Sequence, residues 1–500
     1  MTAVFEATWE SVGTHRVPDW YDDAKLGVFI HWGLYSVPAW APRVPDIQEL
    51  LLQRGPRQMF RENPYAEWYL NTMQIEGSST QRHHRDAYGD GYPYDDFVDA
   101  FNDASSPAAI DTLAALCQDA GARYAVLTTK HSDGFALWPS AVPHPVKGEY
   151  HASRDLVGDL SDAVRARGLR MGLYYCGGYD WPYSGTVVQN LATAVLSVPQ
   201  DRRYLDYVSA HVRELIDRYR PSILWNDVAW PRGGNLAELF AYYYNTVADG
   251  LVNDRWAEQG PRNTMTVALV RAVGGLVERL WSIVPKSRKT LAFPSSKHFD
   301  FRTPEYAPFR TASELKWELC RGVGHSFGAN SHERPEDILS TDDLITLFCD
   351  VVSKNGNLLI GVGPRPDGTI PEHEQAPLRG LGKWLVVNGA AVYGSRPWTV
   401  AESSAPDGKM VRFTRAGPRD DANQTVYAMV IGRPPSRRIS LPVVDVTSVR
   451  QVRLLGVDEP LEVSTLDGTL TVTLPDRCAL SAVTTLVLGR GVRAKSVPRP

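Results

Sequence analysis

Short apolar strands separated by amphipathic helices run through the first three quarters of the chain, and this alternation most constrains the fold. The runs GVFIHW (27–32), RYAVLTT (123–129), LRMGLYY (169–175), SILWND (222–227) and NLLIGVG (357–363) are rich in branched or aromatic residues and sit beside turn formers. Between them, Ile110, Leu113, Ala114 and Cys117 recur at helical spacing, and Val208, Val212, Leu215, Ile216 and Tyr219 repeat the stripe. A third helix is expected to start near Ser340, to carry Leu344, Leu347, Phe348 and Val351, and to stop at Gly356. Strands joined through helices are not hairpins, so the sheet must be largely parallel. A doubly wound sheet and a (β/α)8 barrel both satisfy that pattern.

The last hundred residues differ. After WLVVNGAAVYGSRPW (384–398) the helical stripes stop. Short alternating runs follow: VRFTR (411–415), QTVYAMVIG (424–432), VRLLG (452–456), LTVTLP (470–475) and TTLVLG (484–489). This reads as an antiparallel β-sandwich. The chain is therefore divided into a barrel-or-sheet unit over 1–394 and a sandwich over 395–500. Residues 256–299 stand apart as an insertion, with seven Lys/Arg against two Glu and the apolar run MTVALVRAVGGLVERLWSIV. They are read as a surface excursion packing one helix on the barrel. A subunit contact or a wall of the substrate site is the alternative.

Composition excludes several classes. A formal charge of −4 does not suit a basic nucleic-acid binder. No run approaches the roughly 18–20 continuous apolar residues of a membrane span. The N-terminus shows no basic segment leading into an apolar one, so a cytoplasmic protein is expected. Cys117, Cys176, Cys320, Cys349 and Cys478 are odd in number and form no C-x-x-C, which suits reduced thiols. No dinucleotide fingerprint or P-loop is present, and G-x-S-x-G serine-hydrolase chemistry is not expected.

Parallel barrels and sheets bind ligands at the C-terminal ends of their strands. Four strands here end in polar or aromatic residues: Ile30-His31-Trp32-Gly33, Thr129-Lys130-His131-Ser132-Asp133, Tyr174-Tyr175-Cys176 and Trp225-Asn226-Asp227. Asp227 is the sharpest of these, because a strand-end aspartate among apolar neighbours is costly unless it is paired. Its alternative is a cap on the next helix. His31 and His131 suit hydrogen bonding to hydroxyls better than metal ligation, since no HExxH and no third ligand accompany them. Tryptophans clustered near these segments suit the apolar faces of sugars.

Taken in order, PDWYDDAKLGVFIHWGLYSVPAW (18–40), NPYAEWYLNTM (63–73), TTKHSDGFALWPS (128–140), LYYCGGYDW (173–181), LWNDVAWP (224–231) and DVVSKNGNLLIGVGPRPDGTIP (350–371) resemble the α-L-fucosidases of glycoside hydrolase family 29. The resemblance spans nearly the whole chain. It implies a (β/α)8-like barrel followed by a β-sandwich, and an exo-acting retaining mechanism by double displacement. It implies that Asp227, in LWND, is the nucleophile. Glu305, in DFRTPEY (300–306), matches the acid/base of one branch, with Glu67 as its competitor. Glu318, in KWELC, is read as supporting the fold. His31, Glu67, Trp68, His131, Tyr174, Trp225 and Arg255 match positions around the fucose ring, and Phe327 matches an aromatic near the C5 methyl. Tyr174, not Tyr175, is expected to face the sugar. Where many members carry a second histidine this chain has Ser132, which is expected to make a shorter contact and to tolerate histidine.

The resemblance implies a fucosylated oligosaccharide or glycoconjugate as substrate, with no cofactor, no metal, no nucleic acid and no membrane; homo-oligomers are common in the family. Carbohydrate binding without turnover, or action on another sugar such as an α-L-galactoside, are the competing readings.

Overall fold

The computed structural model describes residues 4–261, 263–283, 285, 294–406, 408–417, 424–433, 437–466, 468–476 and 481–495. Seven strands form one parallel sheet: β1 (Leu26–Ile30), β2 (Tyr124–Lys130), β3 (Arg170–Cys176), β4 (Ile223–Asp227), β5 (Leu251–Val252), β6 (Trp317–Gly322) and β7 (Gly356–Val362). Their order is β5-β4-β3-β2-β1-β7-β6. First and last strands thus lie side by side, and the gap between β5 and β6 is bridged by residues 300–306. Asn253 pairs with Phe301, Arg302 with Trp317 and Glu305 with Cys320, all parallel. This irregular segment takes the eighth place, so the sheet closes as a (β/α)8-like barrel rather than a doubly wound sheet.

The pleat sorts side chains into two cores. Phe29, Val126, Tyr174, Trp225, Phe301, Cys320 and Leu359 fill the barrel interior. Their neighbours Val28, Leu127, Leu173, Tyr175, Leu224, Leu319 and Ile360 pack outward against the helices. Those helices include Pro107–Asp119, Leu156–Ala166, Arg202–Tyr219, Leu236–Thr246, Thr341–Ser353 and Glu372–Asn388. The Ser340 hydroxyl caps Thr341–Ser353 by accepting from the Asp343 N–H. That helix ends before Gly356, because Asn355 already turns with φ 73°.

Beyond the last barrel helix, a five-stranded and a three-stranded antiparallel sheet enclose a third core of Trp398, Val411, Phe413, Ile439, Val472 and Leu486. Trp384 of the final barrel helix donates to the Val483 carbonyl at 3.2 Å and ties the barrel to these sheets.

One expectation is corrected. Within 256–299 the apolar run does form a helix, Thr264–Arg279. It does not join the outer ring of the barrel; it packs on Leu191–Leu196 and Ile47–Arg61, two helices above the strand ends. Residues 262, 284 and 286–293 of this stretch lie outside the described residues, as does Cys478. The other four cysteines are free and buried. No helix among the described residues is long and apolar enough to cross a membrane.

Candidate active site

The C-terminal strand ends surround a cavity of roughly 320 Å³, within the ~300–1,000 Å³ range of small-molecule sites. His31, Glu67, Trp68, His131, Tyr174, Trp225, Asp227, Arg255, Glu305 and Phe327 all line it. Residues from eight separate segments of the chain thus converge on one space.

Arg255 is its electrostatic centre. It follows β5 and is 3% exposed. Nη1 donates to Asp227 Oδ1 at 2.9 Å and Nη2 to Glu305 Oε2 at 2.9 Å. Nε donates to Thr303 Oγ1 at 3.0 Å, and Nη2 also reaches the Thr303 carbonyl at 3.1 Å. Thr303 is itself held by Asp254 Oδ1, which accepts from its hydroxyl at 2.7 Å. Burial alone would lower the Arg255 pKa, but Cys320, Asp227 and Glu305 outweigh it and hold the guanidinium firmly charged.

Asp227 ends β4 and does not cap the next helix; Asn235 does that. Its Oδ2 accepts from the Tyr174 hydroxyl at 2.9 Å. The chain then turns through two left-handed residues, Val228 (φ 59°) and Ala229 (φ 84°), an uncommon state for a β-branched residue. Asn226 stabilises the turn from beneath. Its Nδ2 donates to the carbonyls of Ala229 at 2.9 Å and Arg255 at 2.8 Å. Gly178 is required alongside, because a Cβ there would lie 2.0 Å from the Val228 carbonyl oxygen.

Glu305 sits in the strand-like segment that closes the barrel. Its Oε1 accepts from the Tyr65 hydroxyl at 2.5 Å. Glu67 lies in a different environment. The Gly328 N–H donates to its Oε2 at 2.8 Å, yet no cation among the described residues contacts it, and burial pushes its pKa up to about 8. Burial thus favours the neutral carboxylic acid form of Glu67.

His31 and His131 are buried, and the Nδ1 of each has no partner among the described residues. Burial lowers His131 to about 4 and His31 well below its ordinary value. Both are thus neutral imidazoles suited to hydroxyls. Tyr174 stacks on His131 with ring centroids 5.6 Å apart, and Phe327 stacks on His31 at 4.8 Å. Tyr175 points outward to His211.

Glu318 lies on the barrel floor. It accepts from Tyr21, Tyr124 and the Trp225 indole at 2.8, 2.5 and 3.1 Å, and so sets the ring on which Tyr174 stacks.

Ser132 requires a correction. It does not line the cavity. It is wholly buried, with Oγ 3.2 Å from Cys176 Sγ, and its carbonyl accepts from the Trp181 N–H. A contact to a sugar hydroxyl is not available to it there. Sequence reasoning also passed over Tyr65, Thr303 and Cys320. Tyr65 and Thr303 stand in the quoted NPYAEWYLNTM and DFRTPEY motifs, two residues before Glu67 and Glu305. Cys320 Sγ lies 3.4 Å from Arg255 Nη2. Among the described residues, one group has metal-ligand atoms close together: His15, His298 and Asp300. It lies outside the cavity, and Asp300 there accepts from Tyr244 and the Val252 N–H.

A closed parallel barrel with two carboxylates on one arginine, set in an aromatic cavity at the strand ends, defines a barrel glycoside hydrolase. A profile of the family "Alpha-L-fucosidase" matches residues 1–390. The tissue α-L-fucosidase of Rattus norvegicus is 30% identical over 93% of this chain and 88% of its own. The human tissue α-L-fucosidase is likewise 30% identical, over 93% of this chain and 87% of its own. The crystal structure of Thermotoga maritima α-fucosidase in complex with fucose is 36% identical and covers 97% of this chain and 100% of its own, with a TM-score of 0.78. The chain belongs to the α-L-fucosidase family, glycoside hydrolase family 29.

Proposed function

We propose that the enzyme removes terminal α-L-fucosyl residues with net retention, through Asp227 as nucleophile and Glu305 as acid/base. The observation that carries this reading is the shared guanidinium of Arg255. Two carboxylates bonded to neighbouring nitrogens of one fork are held close together. Retaining glycosidases keep theirs about 5–5.5 Å apart, whereas inverting ones need about 6.5–9.5 Å to admit a water.

In the first step an Asp227 oxygen attacks the anomeric carbon. The glycosidic C–O bond breaks, and the Glu305 proton passes to the leaving oxygen. Esterification removes the Asp227 charge and leaves Glu305 alone with Arg255, now as a base. Water gives Glu305 its proton, attacks the same carbon, and the ester bond breaks. Neutral His31 and His131 bind hydroxyls. Phe327 offers an apolar wall to C5, which suits a methyl group better than a hydroxymethyl and opposes the α-L-galactoside reading.

The test is Glu305→Ala on 4-nitrophenyl and methyl α-L-fucosides. The account expects a far larger loss on the methyl fucoside, whose leaving group needs the proton. Equal losses would remove Glu305 from the role. Glu67 is the second reading, favoured by its neutral carboxyl. It would be installed instead if Glu67→Gln, and not Glu305→Ala, showed that leaving-group dependence.

A further inference from the structure

The cavity divides into two chemistries. Its floor carries the carboxylates, imidazoles and Arg255 described above. Its outer part is built by elements over the strand ends, and there the side chains change character: Leu51, Met59, Phe60, Leu191, Val195 and Trp281. Leu191, Val195 and Trp281 are half-buried rather than sealed, so they form a rim that a ligand can cover.

The rim is constructed, not incidental. Helix Ile47–Arg61 kinks at Gly55 (φ 78°) and Pro56. The Trp281 indole lies over that kink, so close that a Cβ at Gly55 would stand 3.0 Å from its Cδ1. Its Nε1–H donates to the Leu51 carbonyl at 3.2 Å. The polar edge of the indole is thereby engaged, while its ring lines the cavity. Leu191 and Val195 sit one helical turn apart on Leu191–Leu196, which helix Thr264–Arg279 covers from behind. Two polar groups near the rim are already committed, and Gln259 is a further polar side chain lining the cavity. Tyr179 donates to the Ala194 carbonyl at 2.7 Å, and Asn63 Oδ1 accepts from the Tyr65 N–H at 2.9 Å.

A second sugar in the leaving-group position presents a hydroxyl on nearly every carbon. Placed against leucine, methionine, valine and indole, most of those hydroxyls would be desolvated without partners among the described residues. An alkyl or aryl group would instead bury apolar surface on both sides. We propose that the outer cavity is a binding subsite for an apolar aglycone, so that the preferred substrates are α-L-fucosides of hydrophobic alcohols rather than of a second sugar. This rests on the fucosidase reading above and names the leaving group that the same site takes. The occupant follows from continuity: the rim and the Asp227–Arg255–Glu305 cluster belong to one cavity, so whatever lies on the rim is attached to the fucose below.

The test is kcat/KM for methyl, butyl, hexyl and octyl α-L-fucosides beside a fucosyl-galactose disaccharide, with the full chain. The value should rise roughly twofold to fourfold per methylene as carbons fill the rim. The disaccharide should fall well below the hexyl fucoside. Trp281→Ala and Leu51→Asn should flatten the series while turnover of methyl fucoside stays within about threefold. A flat series in the parent enzyme, or preference for the disaccharide, overturns the proposal, and neither result depends on a variant folding. Turnover of the methyl fucoside separates the two readings. If it is cleaved but the series is flat, the aglycone subsite fails alone. If no fucoside is cleaved, the fucosidase reading fails and the subsite with it.

Discussion

Replacing Arg255 with lysine tests the electrostatic centre without removing its charge. The guanidinium spans Asp227 and Glu305 at 2.9 Å each and is braced by Thr303. An ammonium is a single point and lacks the planar fork, so it cannot hold both carboxylates in the same geometry. One charge-assisted hydrogen bond is lost, worth about 1.5–3 kcal/mol. If that bond serves the transition state, the loss in kcat/KM is roughly 10- to 150-fold, since about 1.4 kcal/mol is a tenfold change. Arg255→Met should be worse in a second way. It leaves buried Glu305 and half-buried Asp227 without that cation, and breaking a buried pair costs about 3–5 kcal/mol of stability. The assay is kcat/KM on 4-nitrophenyl α-L-fucoside together with thermal unfolding of both variants. Arg255→Lys within twofold of the parent would refute the reasoning, because the fork would then contribute nothing that a bare charge does not.

The other predictions concern groups around that centre. The Glu67 carboxyl, raised by burial to about 8 against an ordinary value of about 4.3, contributes stability that is complete below pH ~4.3 and lost as pH rises through about 8. Thermal midpoints at pH 5 and pH 8 should therefore differ less in Glu67→Gln than in the parent; an unchanged difference contradicts the burial argument. Glu333 and Glu374, also raised by burial, stay in both proteins and cancel. Ser132→His should lower the thermal midpoint, because overpacking a filled core costs about 1–3 kcal/mol; a variant as stable and active as the parent would show that room exists beside Cys176. Asn226→Ala removes both bonds that hold the left-handed turn after Asp227. It should lower kcat at least about tenfold while KM moves little, at about 1.4 kcal/mol per tenfold; a pure KM effect would assign Asn226 to binding instead.

The barrel strands were legible because each is buried along nearly its whole length and so reads as a continuous apolar run. The eighth position was not. DFRTPEY contains Asp300 and Pro304 and makes only isolated bridges, so nothing in it looks like a strand. Its barrel role comes from the two edges it joins. Asp227 stood out because a strand-end carboxylate needs a partner, and Arg255 supplies it. Tyr65 and Thr303 did not stand out, since their partners, Glu305 at 240 residues' separation and Asp254 at 49, are brought near only by closure of the ring. Ser132 was misjudged for a similar reason. Its neighbour His131 faces the cavity, but the chain turns at Asp133-Gly134, and Ser132 points back into the core. The helix at 264–279 was readable as a helix from its apolar run. Its position was not, because Met265, Leu269 and Leu276 are all more than half exposed and give no core-facing stripe.

Proton NMR of the first fucose released from an aryl α-L-fucoside tests the central claim most directly, before mutarotation mixes the anomers. Two displacements at the anomeric carbon, the first by Asp227, predict that α-L-fucose appears first. Initial release of β-L-fucose would mean a single displacement by water. Asp227 would then not be the nucleophile, even though the chain remains an α-L-fucosidase.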